Sequence, residues 1–392
     1  MKTSLIILSF IGIVLANDED DFTKANNKFA STVYSEIAKN KKENFLVSPF
    51  SAETILALTH AGAKGPTAQE LQNAIHLPGD NKKIEEGAKT LLPSLQTHDP
   101  YTLKTANKMY IKNNFEIKPD FKQVATEAFF ADSESIDFVE NVKAAETMNT
   151  WVEKQTENRI QNLISPDVVN NETRLVLINA LYFKANWSSR FHLSYTKKID
   201  FYKSAADVVK VDAMTNKHGQ RFLFFDCHHL NAKFLELPFK GEEASMTFIL
   251  PNDKDGLPRL ESDLERALVP HNLTRERLTV QLPKFKIESK IDLKKMLKNL
   301  GVVTVFTDFQ ADLSGIAGEP GDLVVNEVVQ KSFIDVNEEG VEAAAATFAL
   351  VAVPMMGFSN KPKEFLADHP FIFYIRVKGV IIFVGRVIDP SN

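Results

Sequence analysis

Apolar residues follow two different rhythms along the chain. In the first segment Phe29, Val33 and Ile37 recur every fourth residue, one face of an α-helix. Asn44 to Val47 reads as a short strand, and Ser51 is expected to cap a helix running through Ala63. Gly65-Pro66 is expected to stop that helix, with Thr67 and Glu70 as a capping box for the next. A further helix is expected from about Val142 to Leu163, carrying Met148, Trp151, Val152 and Ile160. From Arg174 the rhythm changes to short apolar runs broken by turns. Strands are expected at 174–184, 222–225, 234–239, 246–250, 278–282, 285–287, 324–336, 371–377 and 380–387, with one short helix at 292–300. Helices first and strands later predict an α+β fold with mainly antiparallel sheets.

No repeat and no Pro/Gly/Ser-rich linker interrupts the first 330 residues, so residues 17–392 are expected to form a single domain. Residues 1–16 read as a signal peptide. Lys2 gives the positive start, Leu5 to Leu15 is an apolar run too short to span a bilayer, and Val14 and Ala16 give the small-residue pattern of a cleavage site. A secreted protein with no membrane segment is therefore expected. At 392 residues, with 44% hydrophobic and 25% charged positions, the chain can bury a large core. One cysteine, Cys227, excludes an intrachain disulfide. A net charge of −5 argues against a nucleic-acid partner.

Catalytic and metal signatures are absent from the sequence. There is no G-x-S-x-G elbow, no H-E-x-x-H and no phosphate-binding glycine loop. Cys227-His228-His229 groups metal-type residues, but neighbours on a strand point to opposite faces. The informative stretch lies from Asn337 to Asp368, between long apolar strands. Taken as a strand, its first half places Val341, Ala343, Ala345, Thr347 and Ala349 on one face, all small and uncharged. Such a face could enter a crowded sheet at little steric cost, and Gly340 is a natural hinge. Its second half holds Pro354, Gly357 and Pro362, which resist regular structure, and its exposed apolar residues suit a protease.

Six ordered segments make the chain resemble the serpins, secreted arthropod inhibitors in particular. They are NFLVSPFS at 44–51, GAKGPTAQE at 62–70, NALYFKANW at 179–187 with Phe191, LPKFKIES at 282–289, ADLSGI at 311–316 and FVGRV at 383–387. The resemblance covers the mature chain. It implies the serpin fold: three β-sheets, about nine helices and an exposed C-terminal reactive loop at about 338–365. It also implies a suicide substrate, not an enzyme. A protease cuts the loop and forms an acyl-enzyme, and the freed loop inserts as a new strand in the main sheet, trapping the protease. A non-inhibitory carrier or chaperone, or cross-class inhibition of a cysteine protease, are the alternatives.

The resemblance places the hinge at Glu338, Glu339, Gly340, Val341, Glu342, Ala343, Ala344, Ala345, Ala346 and Thr347, with Val341 where Thr or Ser is commoner. It gives Ser48, Ser51, Asn179 and Gln330 the polar positions of the shutter, Gln330 standing where many members carry a histidine. Family spacing puts the reactive bond after Pro354, a poor residue to cleave behind. A shift of one or two places it at Met355 or Met356, with Gly357 and Phe358 as further choices. No Lys or Arg occurs from 341 to 360, so an elastase- or chymotrypsin-like target is expected, in an innate-immune or clotting-type cascade. Sequons stand at Asn171, Asn186 and Asn272, the second rated lower because Trp187 follows it. No cofactor is required. A heparin-like polysaccharide is a candidate ligand for Lys82, Lys83, Lys89, Lys104 and Lys108, with a second basic run from Lys284 to Lys298; interspersed acids favour a plain solvated surface. A monomer that meets a target serine protease is expected.

Overall fold

The computed structural model describes residues 3–96, 99–216, 220–342 and 362–391, with side chains from Asp21 onward. The chain opens with α1 (Thr3–Asn40), which takes in the expected leader and then buries Phe29, Val33 and Ile37. β1 (Phe45–Val47) leads into α2 (Pro49–Ala61). Then come α3 (Gly65–Ala74), α4 (Asn81–Leu95), β2 (Tyr101–Lys112), α5 (Pro119–Glu127), β3 (Asp132–Ile136) and α6 (Asn141–Gln155). Next are β4 (Leu175–Asn186), β5 (Lys197–Tyr202), β6 (Val208–Thr215), β7 (Arg221–Cys227), β8 (Ala232–Pro238) and β9 (Ala244–Pro251). The short helices α7 (Leu257–Ser262) and α8 (Leu264–Leu268) precede β10 (Thr274–Pro283), β11 (Phe285–Asp292) and α9 (Leu293–Asn299). The chain closes with β12 (Val325–Asn337), β13 (Gly340–Val341), β14 (Lys363–Leu366), β15 (Phe371–Val377) and β16 (Val380–Val387). Among the described residues no helix is long and apolar enough to cross a membrane.

A six-stranded sheet, in the order β11-β12-β13-β4-β2-β3, forms the middle of the molecule. Its central strand β4 is buried on both faces. Leu175, Leu177, Leu181 and Phe183 join the main core on the α2 side, while Val176, Ile178 and Ala180 pack with Met148 and Val152 of α6 on the other. This double burial explains why β4 reads as a continuous apolar run and not as an alternation. The remaining ten strands form a second network. β10 joins its two parts: residues 274–277 pair with β7, whereas 278–283 pair with β14 and β6. The three sheets implied by the family resemblance thus occur as one separate sheet and two that share β10.

Three local expectations are corrected. The cap of α2 is Ser48, whose side chain accepts from the Ser51 amide at 3.2 Å, and Pro49 fills the first helical turn. Gly65-Pro66 starts α3 instead of stopping α2, and no side chain caps that helix. The proposed capping-box residues serve tertiary contacts: Thr67 Oγ1 accepts from the Asp312 amide at 3.0 Å, and Glu70 accepts from the Val303 and Thr304 amides at 2.8 and 2.7 Å and from the Thr304 hydroxyl at 2.5 Å. Helix α6 ends at Gln155, because Glu157 and Asn158 turn to positive φ; Ile160 and Leu163 return to the core from a loop.

Partial burial would raise the Glu70 carboxyl, but the three hydrogen bonds outweigh it and hold the pKa below the ordinary value. The stabilisation is therefore present above the carboxylate range and is lost as pH falls through the depressed value. Glu70→Ala is expected to lower stability by about 1–3 kcal/mol at neutral pH by stranding two amides, and the gap to wild type should close in acid. Thermal unfolding of both proteins across pH 3–7 checks this, and a constant gap would contradict it.

Candidate functional site: the sheet opening and its hinge

Two neighbouring constellations control the place where β12 and β4 meet. The first is a buried row of amides. β12 and β4 run parallel with Gln330 beside Asn179, and β2 places Asn107 beside Asn179 on its other flank. All three side chains face α2, whose first turn supplies Ser48 and Ser51. Gln330 Nε2 donates to the Ser48 carbonyl at 2.9 Å and to Asn179 Oδ1 at 2.5 Å, while its Oε1 accepts from the Ser48 amide at 2.8 Å. Asn179 Nδ2 lies 2.6 Å from the Ser51 carbonyl, 2.5 Å from Ser51 Oγ and 2.6 Å from Asn107 Oδ1. Ser332 adds a weak bond to Gln330 Oε1 at 3.4 Å. Ser48, Ser51, Asn179, Gln330 and Ser332 are fully buried. The four residues expected at the shutter are brought together. Asn107 and Ser332 were missed: Asn107 lies in β2, whose polar-looking TLKTANKM stretch does not read as a strand.

The second constellation is the hinge. β13 is a two-residue rung inserted between β12 and β4, antiparallel to both: Val341 pairs with Val336 and Ala185, and Gly340 with Asn337 and Asn186. Below it, β12 and β4 pair directly with each other from Val325 to Ser332. Gly340 has φ +152°, and a Cβ there would lie 2.0 Å from the Ala185 carbonyl oxygen, so only glycine fits. Val341 points into the main core and is 1% exposed.

Each hinge acid has its own partner. Glu338 accepts from the Thr196 hydroxyl at 2.6 Å and pairs with Lys284 at 3.0 Å. Glu339 pairs with Arg190 at 2.6 Å. Glu342, buried and at φ +53°, has Arg159 at 3.4 Å. Burial works to raise the Glu338 carboxyl, but the Thr196 hydroxyl, a backbone amide and Lys284 bring it below the ordinary value. Burial prevails at Glu342, whose carboxyl is raised despite Tyr182 and Arg159. The backbone is fixed as well, through Trp187 N to the Glu339 carbonyl at 2.8 Å and Phe191 N to the Glu338 carbonyl at 3.1 Å. Lys284, Arg190, Thr196 and Arg159 come from four distant places in the chain, and nothing local in the sequence marks them.

Residues Ala343, Ala344, Ala345, Ala346 and Thr347 of the expected hinge, and Pro354, Met355, Met356, Gly357 and Phe358 of the expected reactive bond, lie outside the described residues. Asn171 and Asn272 are exposed, whereas Asn186 is half-buried opposite Gly340. The five lysines suggested for a polysaccharide do not share one element. Lys82, Lys83 and Lys89 are on α4; Lys104 is on β2 and pairs with Glu157 at 2.8 Å. Lys108, also on β2, is a correction: its ammonium is buried between Asp132 and Glu134, 2.7 Å from each, so it is not open to a polyanion. The second basic run is also dispersed, with Lys284 at Glu338, Lys294 near Glu327 and Lys298 over Phe306. Cys227 is buried, and no metal-type cluster occurs among the described residues.

Residues 24–390 match the family described as Serpin (serine protease inhibitor). The chain is 35% identical to Alaserpin of Manduca sexta, with 100% of each chain covered. It is 36% identical to the leukocyte elastase inhibitor of Bos taurus, over 95% of this chain and 100% of that one. Among solved structures it is similar to Serpin48, described as a highly specific serpin in the insect Tenebrio molitor. Identity there is 54%, coverage is 94% of this chain and 98% of that one, and the TM-score is 0.88.

Proposed function

The chain belongs to the serpin family, described as serine protease inhibitors and not as catalysts, and from that premise we propose that it is a secreted suicide substrate for an elastase- or chymotrypsin-like serine protease. The observation that supports this most is β13. The first rung of a new antiparallel strand is already seated between β12 and β4, and the residues that follow it, Glu342 apart, are small and uncharged as far as Thr347. In this reading the protease serine attacks the reactive carbonyl, the amine leaves with the C-terminal part of the loop, and the ester stays on the upstream part. That part is then free to extend β13 down the sheet, taking the ester-linked protease with it. An innate-immune or clotting-type cascade is the setting proposed, and the exposed sequons Asn171 and Asn272 suit secretion.

A panel of serine proteases on denaturing gels, with mass spectrometry of the released peptide, tests the reading. A stable covalent complex and a peptide beginning at Met356 or Gly357 are expected. A peptide beginning near Pro362, or trapping of a strictly Arg/Lys-specific protease, would overturn the reactive-bond assignment. Cleavage without trapping by every protease tested would overturn the inhibitor reading.

A further inference from the structure

One surface patch runs against the acidic balance of the chain. β7 and β10 pair antiparallel with Arg221 directly opposite Arg277, and Arg275 beside Leu223. Phe222 and Phe224 of β7 are buried, so Arg221, Leu223 and Phe225 share the opposite face, and the register puts Arg275 and Arg277 on that face too. Arg221 and Arg275 are exposed, Arg277 half-buried. Three guanidinium side chains thus originate on two strands about 4.8 Å apart. Like charges directly opposite each other are unfavourable in a sheet, and folding alone gives no reason to keep them there.

The surroundings indicate what the patch fits. Half-buried Leu223 and Phe225 lie on the same face, and Phe225 stacks on His271 with centroids 5.5 Å apart. Arginine mixed with aromatic and aliphatic side chains is the composition of protein contact sites. A polysaccharide, by contrast, needs a run of cations without apolar neighbours. The patch also adjoins the return of the loop. The residue after Arg277, Leu278, is in register with Lys363, the first residue of β14. A protein engaged on the loop therefore reaches this face first on the loop's C-terminal side. The nearest carboxylates on the face, Glu236 and Glu364, stand one strand out on either side and leave the centre positive.

We propose that Arg221, Arg275 and Arg277 form an exosite for an acidic surface on the target protease. It would steer the encounter, and arginine forks would pair with carboxylates once the loop is engaged. This rests on the inhibitor reading above and adds a determinant of which protease is chosen.

The test uses the full-length protein and the double variant Arg221→Glu/Arg275→Glu. Rate constants for covalent trapping are measured with every protease that the panel traps, at about 50 mM and about 500 mM NaCl, which differ strongly in screening. For at least one protease the double variant should trap about tenfold more slowly at low salt and match wild type at high salt. The number of cleavages per trapped protease and the thermal midpoint should not fall. The variant Arg221→Lys/Arg275→Lys should keep most of the low-salt rate. Trapping that ignores charge reversal for every protease overturns this proposal alone. Retention on immobilised heparin that charge reversal abolishes, with trapping rates unchanged, assigns the face to polyanions and equally overturns it. Failure of both proteins to trap anything overturns the inhibitor reading and this proposal with it.

Discussion

Ala343→Arg is expected to be cut by the target protease without trapping it, so that covalent complex falls at least tenfold while turnover rises. The seated rung sets the parity. Val341 faces the core between Val336 and Ala185, and side chains alternate along a strand, so an extension of β13 turns residue 343 to the same side as Val341. Next to that position along β4 and β12 are Phe183 and Ile334, both buried in the main core. An arginine there would need its charge taken out of water with no carboxylate in reach, a cost of several kcal/mol. Insertion would stall after two rungs and the ester would hydrolyse. Ala344→Arg turns to the α6 side and is the internal comparison. Gels and the ratio of cleaved to complexed protein provide the measurement. Full complex formation by Ala343→Arg would show that the strand does not extend from Val341.

The second large effect is expected at Gln330. Gln330→Ala removes the partner of the Ser48 amide, the Ser48 carbonyl and Asn179 Oδ1 in a site from which water is excluded. Stranding such groups costs about 1–3 kcal/mol, and the loss falls on the closed arrangement of β12 against β4. A lower thermal midpoint and faster polymerisation of the uncut protein are expected. Gln330→Met has nearly the same length without the hydrogen bonds. If it behaves as wild type, side-chain volume and not the amide network holds the sheet.

The parts of this fold that were legible in the sequence share a property: their signal is local. β15 and β16 were placed to the residue because each is a bounded apolar run. Asp292 and the helix after it were found from a cap and its amides. The hinge was legible because small residues, a glycine and flanking acids are consecutive. What was missed depends on partners far away in the chain. β2 looks polar because Asn107 and Lys108 are satisfied only by Asn179 of β4 and by Asp132 and Glu134 beside β3. Glu70 looked like a capping residue because its true partners, Val303 and Thr304, are more than two hundred positions downstream. The ion pairs of Glu338, Glu339 and Glu342 were illegible for the same reason, although the acids themselves stood in plain view.

The single rung at Gly340 and Val341 also gives the sheet an order of events. β12 and β4 are joined along a parallel ladder and parted at one end only, so separation can proceed in one direction, like a zip whose slider is already mounted. Each step undoes one parallel pairing and makes two antiparallel ones, a net gain of ladder at every residue. No costly first step remains, and progress is decided residue by residue against the clock of ester hydrolysis. Substitutions close behind Val341 then act early, when the ester has had little time to be removed from water, whereas equal substitutions farther along act after most of the journey is done. Position along the loop becomes a measure of time, and a scan of one bulky residue through it would trace how quickly the contest is settled.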